Sequence, residues 1–215
     1  MMDIKKFVCN PFQENTYIVS DETKECVIID CGAFFAEERK AILEYIRNNR
    51  LTPRHLLSTH AHIDHNFGTD TIYGEFGLKP EIHINDKILA GKLHEQAKTF
   101  CGIDINYDFP EPGVWLCDKD MITFGNHSFR ILSTPGHTPG SVFYHCAEEG
   151  IAFSGDTLFN MSIGRTDFEL GSYDDIIESL RHISSALPPD TVIYPGHGPK
   201  TSMDTETTYN PYLKL

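Results

Sequence analysis

Four side chains able to bind a metal ion crowd together directly after an apolar, strand-like run. The segment STHAHIDH at residues 58–65 follows RHLL and contains His60, His62, Asp64 and His65. Residues two apart lie on one side of an extended chain, so His60 and His62 can share an ion at a strand end. Four ligands from a chain that turns towards a helix would strain one tetrahedral site. The spacing therefore predicts two neighbouring metal ions and a fold that brings further ligands to this strand end.

Three later motifs can supply those further ligands, and each follows a predicted strand. They are PGHTPG at 135–140, SGDT at 154–157 and PGHGP at 195–199. Their glycines allow the close backbone approach that a site lined by loops requires. We assign the ligands as follows: His60, His62 and His137 on one ion, Asp64, His65 and His197 on the other, and Asp156 between the two. Imidazole-rich ligation with carboxylate favours Zn²⁺, with Fe or Mn as alternatives.

Hydrophobic periodicity predicts two β-rich halves, each completed by helices. The first half contains strands KKFVCN, NTYIVS, ECVIID, RHLLSTH and EIHIN, and helices at 36–49, 64–75 and 86–100. A Gly/Pro-rich crossing at 102–113 leads to strands MITF, FRILST, SVFYHC, GIAFSG and TVIYP, and a helix at 174–187. Two mixed sheets with helices outside predict an α/β (α+β) chain folded as a four-layer αββα sandwich. Because neither half holds all the ligand motifs, we expect residues 1–215 to form one domain.

Composition restricts the partners and the compartment. The hydrophobic fraction of 40% and the charged fraction of 23% indicate a globular chain rather than a disordered one. The net charge of −13, without a Lys or Arg cluster, opposes binding to nucleic acid. No apolar run is long enough for a membrane helix, and the amino terminus lacks the pattern of a signal peptide. Six cysteines without a CxxC pair predict reduced thiols, and we therefore expect a cytoplasmic location.

These motifs resemble the signature of the metallo-β-lactamase-fold hydrolases along nearly the whole chain. The signature THxHxDH corresponds to residues 59–65, and the later GH, GD and GH motifs follow in order. The stretches NPFQENTYIV, IIDCG at 28–32 and IGRTD at 163–167 are most similar to the glyoxalase II group, particularly the short bacterial hydroxyacylglutathione hydrolases. The resemblance implies the αββα fold, two metal ions with the ligand division given above, and Asp30 as a residue that steadies a ligating histidine.

The resemblance also restricts the substrate. In β-lactamases of this fold a cysteine commonly stands at the position of Asp156, which argues against antibiotic hydrolysis. RNA-processing members carry an extra domain and basic surfaces that this acidic chain lacks. Longer glyoxalase II enzymes add a helical C-terminal domain that helps to hold glutathione, whereas this chain ends 18 residues after His197. We expect no such domain here, and specificity for glutathione stays open. Arg165 is the candidate for binding a substrate carboxylate, with a surface ion pair as the alternative.

The expected reaction is hydrolysis of a small-molecule thioester such as S-lactoylglutathione. A hydroxide held between the two ions would attack the carbonyl carbon, while Asp64 and Asp156 orient and bridge the ions. One alternative is a persulfide dioxygenase, because those enzymes share the GRTDF of residues 164–168 and use a single iron, here on His60, His137 and Asp156. A non-catalytic metal-binding module is disfavoured, since structural zinc sites are closed and rich in cysteine. We assign no role to His83, His94, His127, His145 and His182.

Overall fold

The computed structural model describes residues 2–214, and its first sheet is built from the first half of the chain. In spatial order its strands are β1 (Asp3–Cys9), β2 (Glu14–Ser20), β3 (Glu25–Ile29), β4 (Thr52–Leu57), β5 (Pro80–His83) and β6 (Val114–Leu116). Strands β1 to β3 pair antiparallel, whereas β3 to β6 pair in parallel. The predicted opening meander is thus followed by parallel strands, and β6 is a strand that the sequence reading missed.

The second sheet is built from the second half of the chain. Its strands are β7 (Met121–Phe124), β8 (His127–Ser133), β9 (Val142–Cys146), β10 (Ile151–Gly155), β13 (Val192–Pro195) and β14 (Thr201–Ser202). A small hairpin of β11 (Leu158–Phe159) and β12 (Ser162–Ile163) follows β10. Strands β10 and β13 are parallel, and the other neighbours are antiparallel. Strands β8, β10 and β13 consequently point in one direction and end at the same edge of the sheet.

The helices lie outside the sheets or between strands. They are α1 (Ala36–Asn48), α2 (Thr69–Phe76), α3 (Lys87–Ala90), α4 (Leu93–Cys101), α5 (Tyr173–Ala186) and α6 (Met203–Tyr209). The helix predicted at 64–75 is instead a 3-10 turn at Ile63–His65 followed by α2, because the preceding loop binds other side chains. The helix predicted at 86–100 is divided into α3 and α4 near Gly91, a residue of low helix propensity.

Alternating side chains along the strands create three apolar layers. Between the sheets lie, among others, Tyr17, Val19, Val27, Ile29, Phe124, Phe129, Tyr144 and Phe153. On the outer face of the first sheet, Ile18 and Ile28 share a cluster with Ile42 and Ile46 of α1. On the outer face of the second sheet, Phe143 and Ile193 share a cluster with Ile176 and Leu180 of α5. Helices therefore cover both sheets, and the predicted αββα sandwich is confirmed.

A polar contact joins the two sheets at the end of β2 that lies away from Glu14. His127 Nδ1 is 3.0 Å from Asp21 Oδ2, and His127 Nε2 is 2.9 Å from Glu149 Oε1. Asp21 follows β2, whereas His127 begins β8 and Glu149 lies in the turn after β9. We call these three residues the inter-sheet clasp.

The remaining predictions on organisation concern cysteines, membranes and domains. All six cysteines are free thiols, as the sequence predicts. Within residues 2–214, no helix combines the length and the apolar character needed to cross a membrane. The core between the sheets takes residues from both halves of the chain, which supports the single-domain proposal for residues 1–215.

Candidate metal centre

The candidate ligands of all four motifs lie just beyond the carboxyl ends of strands. The segment 60–65 follows β4, His137 follows β8, Asp156 follows β10 and His197 follows β13. An isolated β-bridge between Glu14 and His197 connects the last of these loops to the first sheet. The structure thus brings all seven predicted ligands to one edge of the sandwich, although His60 and His197 are 137 positions apart in the sequence.

The distances between ligand atoms define two adjoining sets. Ligand atoms lie within 4.8 Å of one another in the groups His60/His62/His137, His60/His65/Asp156 and Asp64/His65/His197. His62 Nδ1 is 2.8 Å from His137 Nε2, and Asp64 Oδ2 is 3.3 Å from His197 Nε2. Asp156 lies between the sets, with Oδ1 3.3 Å from His65 Nε2 and Oδ2 3.6 Å from His137 Nε2. Two of these groups coincide with the ligand sets predicted for the two ions, and the third connects the sets through Asp156; the division of ligands stays a prediction.

Three atoms at the centre test whether these residues fit metal ions. His60 Nε2, His65 Nε2 and Asp156 Oδ1 are buried and have no hydrogen-bond partner among the described residues. A buried polar atom left without a partner costs about 1–3 kcal/mol, so its retention requires a reason. Imidazole nitrogen and carboxylate oxygen are the donors that zinc, iron and manganese accept. The residues present therefore fit a pair of divalent ions.

Burial keeps two of the histidines neutral. Desolvation, assisted by the neighbouring imidazoles, lowers the pKa of His60 well below its ordinary value. The same cause, together with His137, lowers the pKa of His62 to about 3. A neutral imidazole offers a free lone pair, which is the form that binds a metal. Both residues are thus ready to act as ligands at neutral pH.

The opposite side of the site has an excess of negative charge. Burial alone would lower the pKa of His65, but the carboxylates of Asp156, Asp30 and Asp64 raise it well above its ordinary value. Against the same burial effect, Asp156 raises the pKa of His197 to about 10. Among residues 2–214, no Lys or Arg pairs with these three carboxylates. The carboxylates therefore favour positive charge at this position, which divalent cations would supply.

Asp30 occupies the position that the resemblance implies. Its Oδ2 atom accepts from His65 Nδ1 at 2.9 Å and from Thr59 Oγ1 at 2.8 Å, while Oδ1 accepts from the Thr59 backbone N–H at 2.7 Å. The bond from Nδ1 leaves the Nε2 atom of His65 facing the site. Asp30 has a φ of 52°, a left-handed conformation that is uncommon outside glycine. Its role in steadying His65 is proposed from this geometry.

Backbone carbonyls hold two further histidines from behind. His137 Nδ1 donates to the Arg165 carbonyl oxygen at 2.7 Å, and His197 Nδ1 donates to the Phe12 carbonyl oxygen at 3.0 Å. In both rings the Nε2 atom is thereby directed towards Asp156. The loops that provide these carbonyls belong to the NPFQEN and IGRTD stretches noted in the sequence.

Several residues that support the ligand loops were missed by the sequence reading. Asp86 accepts from the Ala61 and Gly140 backbone N–H groups at 2.8 Å and 2.6 Å, which ties the His60–His62 segment to the His137 loop. Gln96 accepts from the Ile63 N–H at 3.0 Å and donates to the Ala61 carbonyl oxygen at 3.0 Å. In sequence, Asp86 and Gln96 are ordinary helix residues, so no local signal distinguishes them.

Glu14 is a second omission, and here a signal was available. It is fully buried at the start of β2, and one of its carboxylate oxygens lacks a partner among the described residues. The carboxylate lies near Asp30 and His65, with ligand atoms within 4.8 Å. Burial raises the pKa of Glu14 well above its ordinary value. The signal for Glu14 was its position as an acidic residue at the start of β2, a strand that is buried at every position.

A cavity of about 390 Å³ opens beside the metal centre. Its apolar walls are Phe12, Phe100, Phe159, Ile163 and Phe168, and Arg165 also lines it. Arg165 is exposed and forms two hydrogen bonds to the carboxylate of Asp167, at 2.7 Å and 2.6 Å. The structure thus contains the surface ion pair that was the alternative for Arg165, and it also places this residue where a substrate could reach it. The five histidines without an assigned role lie outside the groups of potential ligands.

Comparison with known proteins places this geometry in a family. The family model of the metallo-beta-lactamase superfamily matches residues 9–197. The hydroxyacylglutathione hydrolase GloC of Haemophilus influenzae is 35% identical over 99% of this chain and 98% of its own length. Among solved structures, BLEG-1 B3 metallo-beta-lactamase superimposes with a TM-score of 0.87 at 32% identity, covering 99% of this chain and 100% of that one. TTHA1623 in a di-iron-bound form gives a TM-score of 0.83 at 33% identity, covering 97% and 100%. The chain belongs to the metallo-beta-lactamase superfamily.

Proposed function

We propose that this protein is a glyoxalase II-like hydrolase that uses two divalent metal ions to cleave a small-molecule thioester such as S-lactoylglutathione. The observation that carries the proposal is the convergence of His60 Nε2, His65 Nε2 and Asp156 Oδ1, all buried and without a hydrogen-bond partner among the described residues. The similarity to GloC supports a thioester as the substrate.

In the proposed site two ions would have separate ligands and would share one carboxylate. His60, His62 and His137 would hold one ion, Asp64, His65 and His197 the other, and Asp156 both. Zinc is the metal that we propose, and iron or manganese suit the same donors. The similarity to a protein solved in a di-iron form makes iron the first alternative to test.

The metals and the chain would contribute differently to the reaction. When bound, two divalent ions lower the pKa of a shared water towards neutrality and polarise an acyl oxygen. The chain holds the ligands rigidly, because His65, His137 and His197 each donate their second ring N–H to a fixed acceptor. Asp64 and Asp156 have the proposed roles of orienting and bridging the ions. A thiolate leaves readily at neutral pH, so the reaction needs no separate general acid.

Metal content and turnover test the proposal together. Purified protein should contain two metal ions per chain by elemental analysis and should hydrolyse S-lactoylglutathione. Chelation should abolish the activity, and reloading with Zn²⁺ should restore it. His65→Ala should lose metal and activity, whereas His182→Ala, which changes an exposed histidine outside the site, should retain both. Equal hydrolysis by chelated and reloaded protein would contradict the proposal.

The same preparation separates the alternatives. One iron per chain, with oxygen uptake on glutathione persulfide, would favour a dioxygenase that uses His60, His137 and Asp156. Full metal loading without turnover of any thioester, lactone or phosphodiester would favour a metal-binding module. Hydrolysis of a β-lactam would contradict the expectation that rests on Asp156, and the similarity to BLEG-1 makes this a necessary control.

A further inference from the structure

Two cavities adjoin the metal centre and share one aromatic wall. The main cavity of about 390 Å³ and a second one of about 170 Å³ are both lined by His62, Phe100 and Phe168. The Phe100 and Phe168 rings stack with centroids 4.8 Å apart and planes at 28°. Phe100 lies near the end of α4, whereas Phe168 lies in the loop before α5. The wall therefore depends on two segments that are far apart in sequence.

The main cavity offers mostly hydrocarbon surface to a substrate. Four of its side chains are phenylalanines, at positions 12, 100, 159 and 168, and Ile163 lies among them. A small-molecule site of this size buries most of its ligand, so the ligand must match these walls. Each methylene group transferred from water to such a surface strengthens binding about fourfold. An apolar arm is therefore the part of a substrate that this cavity binds best.

The positively charged side chains of both cavities are already paired with carboxylates. Among the described residues that line them, the only Lys and Arg are Lys92 and Arg165. The carboxylate of Asp167 binds Arg165 through two hydrogen bonds, and Lys92 Nζ lies 2.8 Å from Glu169 Oε1. The guanidinium of Arg165 also lies 3.9 Å from the ring centroid of Phe168. An anionic arm would have to displace these pairs in a chain of net charge −13, whereas a neutral arm would not.

We propose that the main cavity binds the apolar acyl chain of a thioester, and that the Phe100–Phe168 pair limits the length of that chain. The inference rests on the proposed function and names its substrate class. In the reaction, the acyl carbon gains a bond to the oxygen of water and its bond to sulfur breaks. The thiol leaves with one proton, and the carboxylic acid ionises. The acyl chain extends from the ligand side of the cavity, at His137 and Asp156, towards the aromatic wall.

Acyl thioesters of the neutral thiol N-acetylcysteamine test the length limit. With zinc-loaded protein, kcat/KM should rise about fourfold per methylene from acetyl to butanoyl and then level off where the chain meets the wall. Phe100→Ala removes one of the two rings of the wall between the cavities, so the ratio of kcat/KM for octanoyl to that for butanoyl should rise at least about fourfold. Phe35→Ala is the matched control, since Phe35 is 47% exposed against 40% for Phe100 and lines neither cavity. That variant should keep the wild-type ratio.

A binding measurement separates this inference from the proposed function. Calorimetry with the S-ethyl, S-butyl, S-hexyl and S-octyl thioethers of N-acetylcysteamine needs no catalysis. The Kd should fall along the series and the heat capacity change should be negative, with Phe100→Ala extending the fall to longer chains. If the thioethers bind in this way but no thioester is hydrolysed, the proposed function fails and the apolar site stands. If thioesters are hydrolysed without dependence on chain length, or if Phe100→Ala scales every substrate equally, the inference is wrong.

Discussion

Removing the carboxylate of Asp86 should loosen both loops that hold the first proposed ion. Asp86 is fully buried and accepts three hydrogen bonds, from the backbone N–H groups of Ala61 and Gly140 and from Thr138 Oγ1, at 2.8, 2.6 and 2.9 Å. Ala61 lies between two proposed ligands, and Gly140 lies in the loop after His137. Asp86→Ala therefore cuts the connection between two loops from different sheets.

The size of the effect follows from the groups left without a partner. The Thr138 hydroxyl retains Ser141 Oγ at 2.9 Å, but the two backbone N–H groups lose their acceptor in the Asp86→Ala variant. Each buried N–H without a partner costs about 1–3 kcal/mol. Burial of the carboxylate has its own cost, which raises the pKa of Asp86 and offsets part of the loss. The free energy of unfolding should fall by roughly 2–5 kcal/mol, a large share of the 5–15 kcal/mol typical of a domain.

Denaturation and metal analysis measure the two consequences. Urea unfolding of the zinc-loaded protein gives the loss of stability, and elemental analysis gives the number of ions per chain. We expect the ion on His60, His62 and His137 to be lost first, because Asp86 binds the backbone of the two loops that contain these ligands. Asp86→Asn should show a smaller loss, since the amide oxygen can still accept from one N–H.

An exposed aspartate provides the control. Asp108 lies in the crossing segment and makes no hydrogen bond or ion pair with the described residues, so Asp108→Ala should change stability by less than about 0.5 kcal/mol. If Asp86→Ala resembled Asp108→Ala in stability and kept its full metal content, the reasoning from unpaired N–H groups would be refuted.

Three further predictions concern other parts of the molecule. Burial opposes the charge on His127, but hydrogen bonds to its clasp partners raise its pKa above the ordinary value of histidine, which is about 6.5. The clasp therefore contributes its full stabilisation of the fold below about pH 6.5, and this stabilisation is lost as the pH rises through the folded-state pKa of His127. The stability difference between wild type and His127→Asn, measured by denaturation across pH, should therefore shrink at higher pH, and a pH-independent difference would contradict this. A Cβ on Gly196 would overlap the Asp156 carboxylate, so Gly196→Ala should lose metal, which elemental analysis would measure. Gly74→Ala is the control: it adds a Cβ in open space within α2 and should raise the free energy of unfolding by about 0.5–1 kcal/mol, as measured by denaturation. If Arg165 binds a substrate carboxylate, Arg165→Gln should raise KM about tenfold for S-lactoylglutathione and leave KM unchanged for the lactoyl thioester of N-acetylcysteamine, which has no carboxylate. Equal changes in KM for both substrates would show that Arg165 serves only in the surface ion pair with Asp167.

The fold class and the location of the candidate ligands could be predicted from local patterns. Apolar runs identified most strands of both sheets, because an inward-facing residue such as Tyr17 and an outward-facing one such as Ile18 are both apolar in a covered sheet. The ligand motifs were recognisable because their residue types and their places after strands are local properties. Helix boundaries were less accurate, since the turn at Ile63–His65 depends on bonds to Gln96 from a distant helix.

The sequence by itself determined which side chains can bind metal and which strands they follow. Only the tertiary structure decided which polar groups hold those side chains in place, and which aromatic rings form the wall of the cavity. Asp86, Glu14 and the Phe100–Phe168 pair each act through contacts with distant segments. The sequence around an aspartate that accepts hydrogen bonds from two buried loops does not differ from the sequence around an aspartate that begins a helix. Only the folded structure distinguishes them, because the hydrogen bonds that offset the cost of burying the charge come from residues far along the chain.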